Sequence, residues 1–401
     1  MWLDDGGGKI GVSEDLDHEL AALLGEDHDA ARERRVTALD EMVGPLGTKP
    51  VVLFGAGSLG VKTLNGLRGL GIEPVAFLDN DRTKIGQRVD QLEVVPVDEL
   101  ARRFGSDAAV VVTIFSPGHR YADTAARLKS LGFNAVAPFA ALAWKYPHAF
   151  LPHMRIDLPE DLLQHAQEVM GSFQLFEDDR SRQLFLAHVR WRLHLDFEGL
   201  PSPDSDPYFP ADLVRLGRGD IVLDCGAFDG DTLRYALDQF GPAFERWVAY
   251  EPDPASFQRL QGYVRGLPSD VASKIQLRPC AVGSDRGHVL FEATGTMNSA
   301  VSVSGAVKVE EIALDEDQPG TEVSFLKLDI EGAELAALKG ADRLIHRRIP
   351  TIALELTHRL ADLWTIPRYL SSLDLGYRYA LRSYEGDGCD LVLYALPQRS
   401  A

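Results

Sequence analysis

Ile221-Val222-Leu223-Asp224-Cys225-Gly226-Ala227-Phe228-Asp229-Gly230-Asp231-Thr232 compresses a strand, a sharp turn and the start of a helix into one run. Ile221 to Leu223 is continuously apolar, the pattern of a strand buried on both faces of a parallel sheet. From Thr232 to Phe240 the residues Leu233, Ala236, Leu237 and Phe240 recur at helical spacing. Between the two, Gly226 and Gly230 let the backbone turn and let a ligand come close to it. Strand, glycine turn and helix make the ligand-binding corner of an open α/β sheet.

The charge of the turn narrows the ligand. Asp229 and Asp231 would repel a pyrophosphate, whereas a ligand with a cationic centre suits them. S-adenosylmethionine carries a sulfonium and an ammonium group. The next apolar run, Trp247 to Tyr250, ends in Glu251-Pro252. An acid about 20 residues past the glycines is placed to accept hydrogen bonds from ribose hydroxyls. Further on stands Lys327-Leu328-Asp329-Ile330-Glu331-Gly332-Ala333-Glu334.

From about Tyr208 to Pro397 the chain resembles the FkbM-type family of S-adenosylmethionine-dependent methyltransferases. Residues 224–232 match its first motif, Glu251-Pro252 its second, and 327–334 its most distinctive block. Glu355-Leu356-Thr357-His358 stands where the family often has Glu-x-His, here with one residue more. The resemblance implies a class I methyltransferase fold and transfer of a methyl group, with a hydroxyl of a sugar, glycan or natural product as acceptor.

In an open parallel sheet ligands bind at the carboxyl ends of the strands. Asp224, Glu251, Cys280-Ala281, Asp329 and His358 fall at or near five such ends. The expected cofactor-binding set is Asp224, Gly226, Ala227, Gly230, Asp231, Thr232, Glu251, Pro252, Cys280, Ala281 and Asp329. The strand Ile275 to Val282 brings Cys280-Ala281 toward the adenine. Oxygen acceptors of high pKa need a base or a metal, and Asp329 or His358 is the expected base. A neutral histidine is the better proton acceptor near pH 7. Asp329 could instead hold the cofactor ammonium, or a divalent cation together with Glu331. Glu331 and Glu334 also sit where acids simply favour a helix dipole. Lys327, among apolar neighbours, could pair with an acid. The loop Gly295 to Ser299 lies near the cofactor in the resemblance.

A second glycine turn occurs earlier. Val51-Val52-Leu53-Phe54 leads into Gly55-Ala56-Gly57-Ser58-Leu59-Gly60, and the following strand, Val75 to Leu78, ends in Asp79. Gly55, Gly57, Ser58, Gly60 and Asp79 are the expected contacts of a nucleotide or nucleotide sugar on a helix N-terminus. Residues 50–139 resemble the nucleotide-sugar-binding domain that precedes some sugar acyltransferases. The plain alternative is a fold that binds nothing.

The whole reads as α/β: two Rossmann-like, doubly wound parallel sheets joined by a helical segment. The parts are helical residues 1–48, a nucleotide-binding-like domain at 49–142, a helical connector at 143–207 and the methyltransferase domain at 208–401. Ser13 is expected to cap the first helix. The stripe Leu16, Leu20, Leu23 and Leu24 packs on its own domain or, in the sharper reading, on a second copy. Helices are expected at 159–170, 181–195, 334–344 and 368–375. By the resemblance, the connector lies over the cofactor cleft and helps form the acceptor pocket.

Sixty acids against 41 bases give a net charge of −19, which argues against nucleic acid or an anionic membrane as partner. Cys225, Cys280 and Cys389 fit no zinc spacing. No leader-like or membrane-spanning run is legible, so a cytoplasmic protein is expected. Two other functions stay open: a sugar-nucleotide enzyme acting through the N-terminal half, and a binding protein that senses the cofactor without turnover.

Overall fold

The computed structural model describes residues 9–153, 155–293, 300–301 and 305–398. The chain divides into two compact units. The N-terminal unit comprises Met1–Met170, Gln183–Pro203 and Glu385–Cys389; the C-terminal unit comprises Gly171–Arg182, Asp204–Tyr384 and Asp390–Ala401. The stretch read as a connector, 143–207, is therefore shared between them.

The N-terminal unit is built on six strands: β1 (Val51–Phe54), β2 (Ala76–Leu78), β3 (Arg88–Val89), β4 (Leu92–Val95), β5 (Ala109–Val112) and β6 (Val136–Pro138). Their order is β3-β4-β2-β1-β5-β6, and every pairing but β3 with β4 is parallel. β1 is buried on both faces. Val51 and Leu53 pack with Phe77 and Val111, while Val52 and Phe54 pack with Leu78 and Val110. Each fully buried side chain of this kind contributes about 1.5–3 kcal/mol. Two helices, Lys9–Leu24 and His28–Val43, precede the sheet. The first begins at Lys9, so Ser13 lies inside it and is no cap. Asp27 caps the second, accepting from the N–H groups of Asp29 and Ala30 at 3.0 Å. Leu16, Leu20 and Leu24 are buried within the chain itself.

The C-terminal unit has a seven-stranded sheet. Its strands are β7 (Ile221–Cys225), β8 (Arg246–Tyr250), β9 (Ile275–Arg278), β14 (Phe325–Leu328), β15 (Thr351–Glu355), β16 (Tyr377–Ser383) and β17 (Leu391–Pro397). The intervening β10 (Ala281–Val282), β11 (Gly287–Glu292), β12 (Ala300–Val301) and β13 (Val307–Ile312) form a separate four-stranded sheet. The main order is β16-β17-β15-β14-β7-β8-β9, with only β17 antiparallel to its neighbours. The strand order switches direction at β7, between β8 and β14, which is where an open sheet leaves a crevice.

Several expected elements are cut differently. The strand expected over 275–282 breaks at Pro279, which has no N–H for a ladder. Ala281–Val282 then leaves the main sheet and pairs with Val307–Ile312 in the smaller one. The helix expected over 334–344 is two helices, Glu334–Lys339 and Asp342–Arg348. Gly340 separates them against Gly283, whose carbonyl oxygen would lie 2.1 Å from any added Cβ. The helix expected from Arg368 begins at Asp362 and carries Pro367 inside it. A proline removes the bond to the carbonyl four residues back; that carbonyl, on Leu363, accepts the Ser172 hydroxyl at 2.9 Å instead. The segment 159–170 holds Pro159–Leu163 and the start of Ala166–Phe173. Residues 295–299 lie outside those described.

Candidate active site

The turn after β7 is closed by backbone bonds from the second strand. The N–H groups of Gly226 and Ala227 both donate to the Tyr250 carbonyl at 3.0 Å. Gly226 has φ +83, and an added Cβ would meet the Asp329 carbonyl oxygen at 1.8 Å. Gly230, at φ +90, opens the helix Asp231–Phe240. Phe228 also adopts a left-handed conformation, φ +46, a costly state that its neighbours must hold in place. Glu251 does so. One carboxylate oxygen accepts from Phe228 N–H at 2.8 Å, and the other from Asp253 N–H at 2.7 Å. Burial pushes the Glu251 pKa up to about 7 against those two hydrogen bonds. The acid expected to hold ribose is thus first a builder of the turn. Each oxygen keeps a second lone pair for a ligand. Asp253, next but one, caps the helix Pro254–Arg265.

Asp224 is fully buried on β7, 3.3 Å from Lys327 Nζ and 3.3 Å from the Trp247 indole nitrogen. Its carboxylate is directed at a buried lysine. Lys327 also donates to the Gly226 carbonyl at 2.7 Å. Burial alone would lower its pKa, but the carboxylates of Asp224, Asp329 and Asp231 raise it, so it stays charged. Asp231 is reached by solvent, yet the surrounding protein desolvates its carboxyl enough to raise its pKa. An organic cation suits this carboxylate, because Lys327 is already paired with Asp224 and Asp329. Thr232 is buried in the first helical turn, Ala227 is buried as well, and Pro252 links Glu251 to Asp253. Cys280 and Ala281 are buried too, and burial pushes the Cys280 thiol up to about 12.

Past β14 the chain builds the second part of the site. Asp329 accepts the Tyr208 hydroxyl at 2.8 Å. Glu331 takes a left-handed backbone, φ +56. Glu334, wholly buried, reaches back to the N–H groups of Ile330 and Gly332 at 2.9 and 3.3 Å. The same oxygen meets His358 Nδ1 at 2.8 Å. His358 Nε2 then points toward Glu331 at 3.5 Å and Asp329 at 3.6 Å. Burial would lower the imidazole pKa, but Glu334, Glu331 and Glu355 hold it well above its ordinary value. These acids favour the imidazolium over the neutral base expected from the sequence, for as long as no cation stands beside Nε2. Tyr208 was not among the expected site residues; the only hint was its place directly after the proline- and acid-rich loop at 200–207.

The N-terminal unit repeats the first arrangement. Gly55 N–H donates to the Leu78 carbonyl at 2.8 Å. Asp79 accepts from Ala56 N–H at 3.0 Å and from Asp81 N–H at 2.9 Å, and Lys84 Nζ lies 3.1 Å away. Gly55 and Gly60 are demanded by the backbone, since an added Cβ would meet Thr113 O at 2.8 Å and Gly55 O at 1.9 Å respectively. Gly57 is not: it is exposed, with nothing within 4 Å of an added Cβ. Ser58, also exposed, begins the helix Ser58–Gly69.

Comparison with known proteins agrees with this division. Residues 224–379, which lie in the C-terminal unit, match the model of the methyltransferase FkbM domain. A crystal structure of the methyltransferase FkbM from Methylobacillus flagellatus superposes with a TM-score of 0.75 at 23% identity, covering 96% of this chain and 99% of that one. At that identity the likeness establishes the fold. Among curated proteins, the redox-sensing transcriptional repressor Rex of Carboxydothermus hydrogenoformans is 31% identical over 27% of this chain and 52% of its own length. Rex of Pelotomaculum thermopropionicum is 29% identical over 28% of this chain and 55% of its own length. These likenesses fit the Rossmann-like N-terminal sheet. The chain spans about half the length of these relatives. No helix among the described residues is long and apolar enough to cross a membrane.

Proposed function

We propose that the chain transfers a methyl group from S-adenosylmethionine to a hydroxyl of a sugar, glycan or natural product. The observation that carries this reading is the acidic turn after β7, where solvent-reached Asp231 follows a bend clasped by Glu251. Bound there, S-adenosylmethionine supplies a methyl group already activated by its cationic sulfur. The chain then has to bind and align. Asp231 offers negative charge to the cofactor's cationic groups, and Glu251 offers its free lone pairs to ribose hydroxyls. Asp329 and Glu331 accept the hydrogen bond of the acceptor hydroxyl and hold its oxygen in line, and Asp329 takes its proton as the methyl group passes from sulfur to oxygen. Calorimetry with S-adenosylmethionine and S-adenosylhomocysteine tests the first half. Asp231→Asn should weaken S-adenosylmethionine about tenfold, the scale of one charge-assisted contact. Absence of binding to the wild-type chain would end the reading. Binding without S-adenosylhomocysteine production across a panel of hydroxyl acceptors would favour a cofactor sensor.

For the N-terminal unit we propose nucleotide or nucleotide-sugar binding at Gly57 and Ser58. Among the described residues nothing crowds a side chain at 57, and a ligand resting on that backbone would.

A further inference from the structure

We infer that Asp329, Glu331 and His358 form a site for a divalent cation. One ligand atom from each lies within 4.8 Å of the other two. The inner spacings are informative. His358 Nε2 stands 3.5 Å from Glu331 and 3.6 Å from Asp329, whereas a charge-assisted hydrogen bond would close to about 2.7–2.9 Å. Ligands about 2.1–2.2 Å from a shared cation sit about 3.0–3.6 Å apart at right to tetrahedral angles. Both histidine–carboxylate spacings fall in that range, and the third pair of atoms lies within 4.8 Å.

The histidine supplies an observation independent of the acids. Its side chain is 3% exposed, and among the described residues Nε2 makes no hydrogen bond. Nδ1 is fixed on Glu334, itself wholly buried and tied to two backbone N–H groups. A buried carboxylate on one ring nitrogen, aiming the other at two further carboxylates, is the second-shell arrangement of metal-bound histidine. Charge points the same way. Glu334 and Glu355 are buried, each with one oxygen lacking a hydrogen-bond partner among the described residues, and Lys327 is shared between Asp224 at 3.3 Å and Asp329 at 3.7 Å. Burying this much negative charge around one imidazole is costly, and a dication offsets it.

The donor set of two carboxylates and one imidazole suits Mn²⁺ or a similar first-row ion better than Ca²⁺. Such an ion keeps coordination positions for oxygen atoms of a second molecule; that this molecule is the methyl acceptor rests on the reading given above. The test needs no turnover. The full chain is stripped with EDTA and titrated with Mn²⁺, free ion being read by electron paramagnetic resonance. We expect one tight site per chain. Glu331→Gln, which is isosteric, and His358→Asn should each weaken it at least tenfold, and Glu334→Gln about tenfold. Unchanged affinity in Glu331→Gln, its fold checked by circular dichroism, would overturn the site, as would absence of a stoichiometric site in the wild type. S-adenosylhomocysteine binding measured on the same samples separates the two conclusions: its loss with Mn²⁺ retained removes the methyl-transfer reading alone, and the converse removes the cation alone.

Discussion

The two glycine turns share a circuit and differ in charge. In each, the strand before the turn is fully buried, and the first glycine's N–H donates to the last carbonyl of the second strand. In each, the acid after that strand clasps the turn with one oxygen and the N–H two residues on with the other: Asp79 holds Ala56 and Asp81, and Glu251 holds Phe228 and Asp253. The Rossmann-like corner therefore uses its second-strand acid as a structural clasp whatever the ligand. The turns part company around it. Asp79 has Lys84 beside it, and its turn contains no acid. Glu251 is buried with no ion pair among the described residues, beside a turn that carries Asp231 and Asp229, the latter 3.5 Å from Arg234. The N-terminal turn presents bare backbone; the C-terminal one presents negative charge.

The largest expected effect tests the shared circuit. Gly226→Ala drives a Cβ onto the Asp329 carbonyl, and Gly60→Ala drives one onto Gly55. Each should destabilise its unit by more than about 3 kcal/mol in urea unfolding. Wild-type stability in either would show that the turn rearranges freely.

The next test should split the two clasps by pH. The Glu251 pKa is raised from 4.5 to about 7, so its folded form binds the proton more tightly. Its contribution is complete below pH 4.5 and fades as pH rises through 7, by at most about 3 kcal/mol. Asp79 runs the other way. Burial pushes its pKa up, but the N–H groups of Asp81 and Ala56 together with Lys84 outweigh this and lower it. Its contribution is present above the ordinary aspartate range and is lost as pH falls through its lowered value. Glu251→Gln should flatten the stability slope between pH 4.5 and 7, and Asp79→Asn the slope at acid pH. Equal slopes in both variants would break the contrast.

The smallest effect is the sharpest about function. Gly57→Ala has open space and an ordinary φ, so stability should change by less than about 0.5 kcal/mol. If a nucleotide rests on that backbone, its affinity measured by calorimetry should nevertheless fall. Unchanged affinity would leave the turn without a ligand contact at residue 57.

Strand runs and glycine spacing made both corners legible in the sequence, because local pattern fixes them: Val51–Phe54 and Ile221–Cys225 form where continuous apolar runs predict. What pattern missed depends on residues distant in the chain. Nothing near Asp224 announces that Lys327, a hundred residues on, will take its charge. The break at Gly340 depends on Gly283, and the helix around Pro367 is tolerated because Ser172 supplies a hydrogen to Leu363. His358 stands where the sequence placed it, past the end of β15, but its three carboxylate neighbours, Glu334, Glu331 and Asp329, come from a turn that spacing alone does not close.

The partition of the chain between its two units has a consequence for how such a protein can be divided. Residues 171–182 and 385–389 are each compacted with the unit opposite to that of their sequence neighbours. A single cut in the chain would therefore strand one of these pieces, leaving at least one product incomplete. Expressing the N-terminal unit by itself takes a splice that carries residues 385–389 back to it, not a simple truncation.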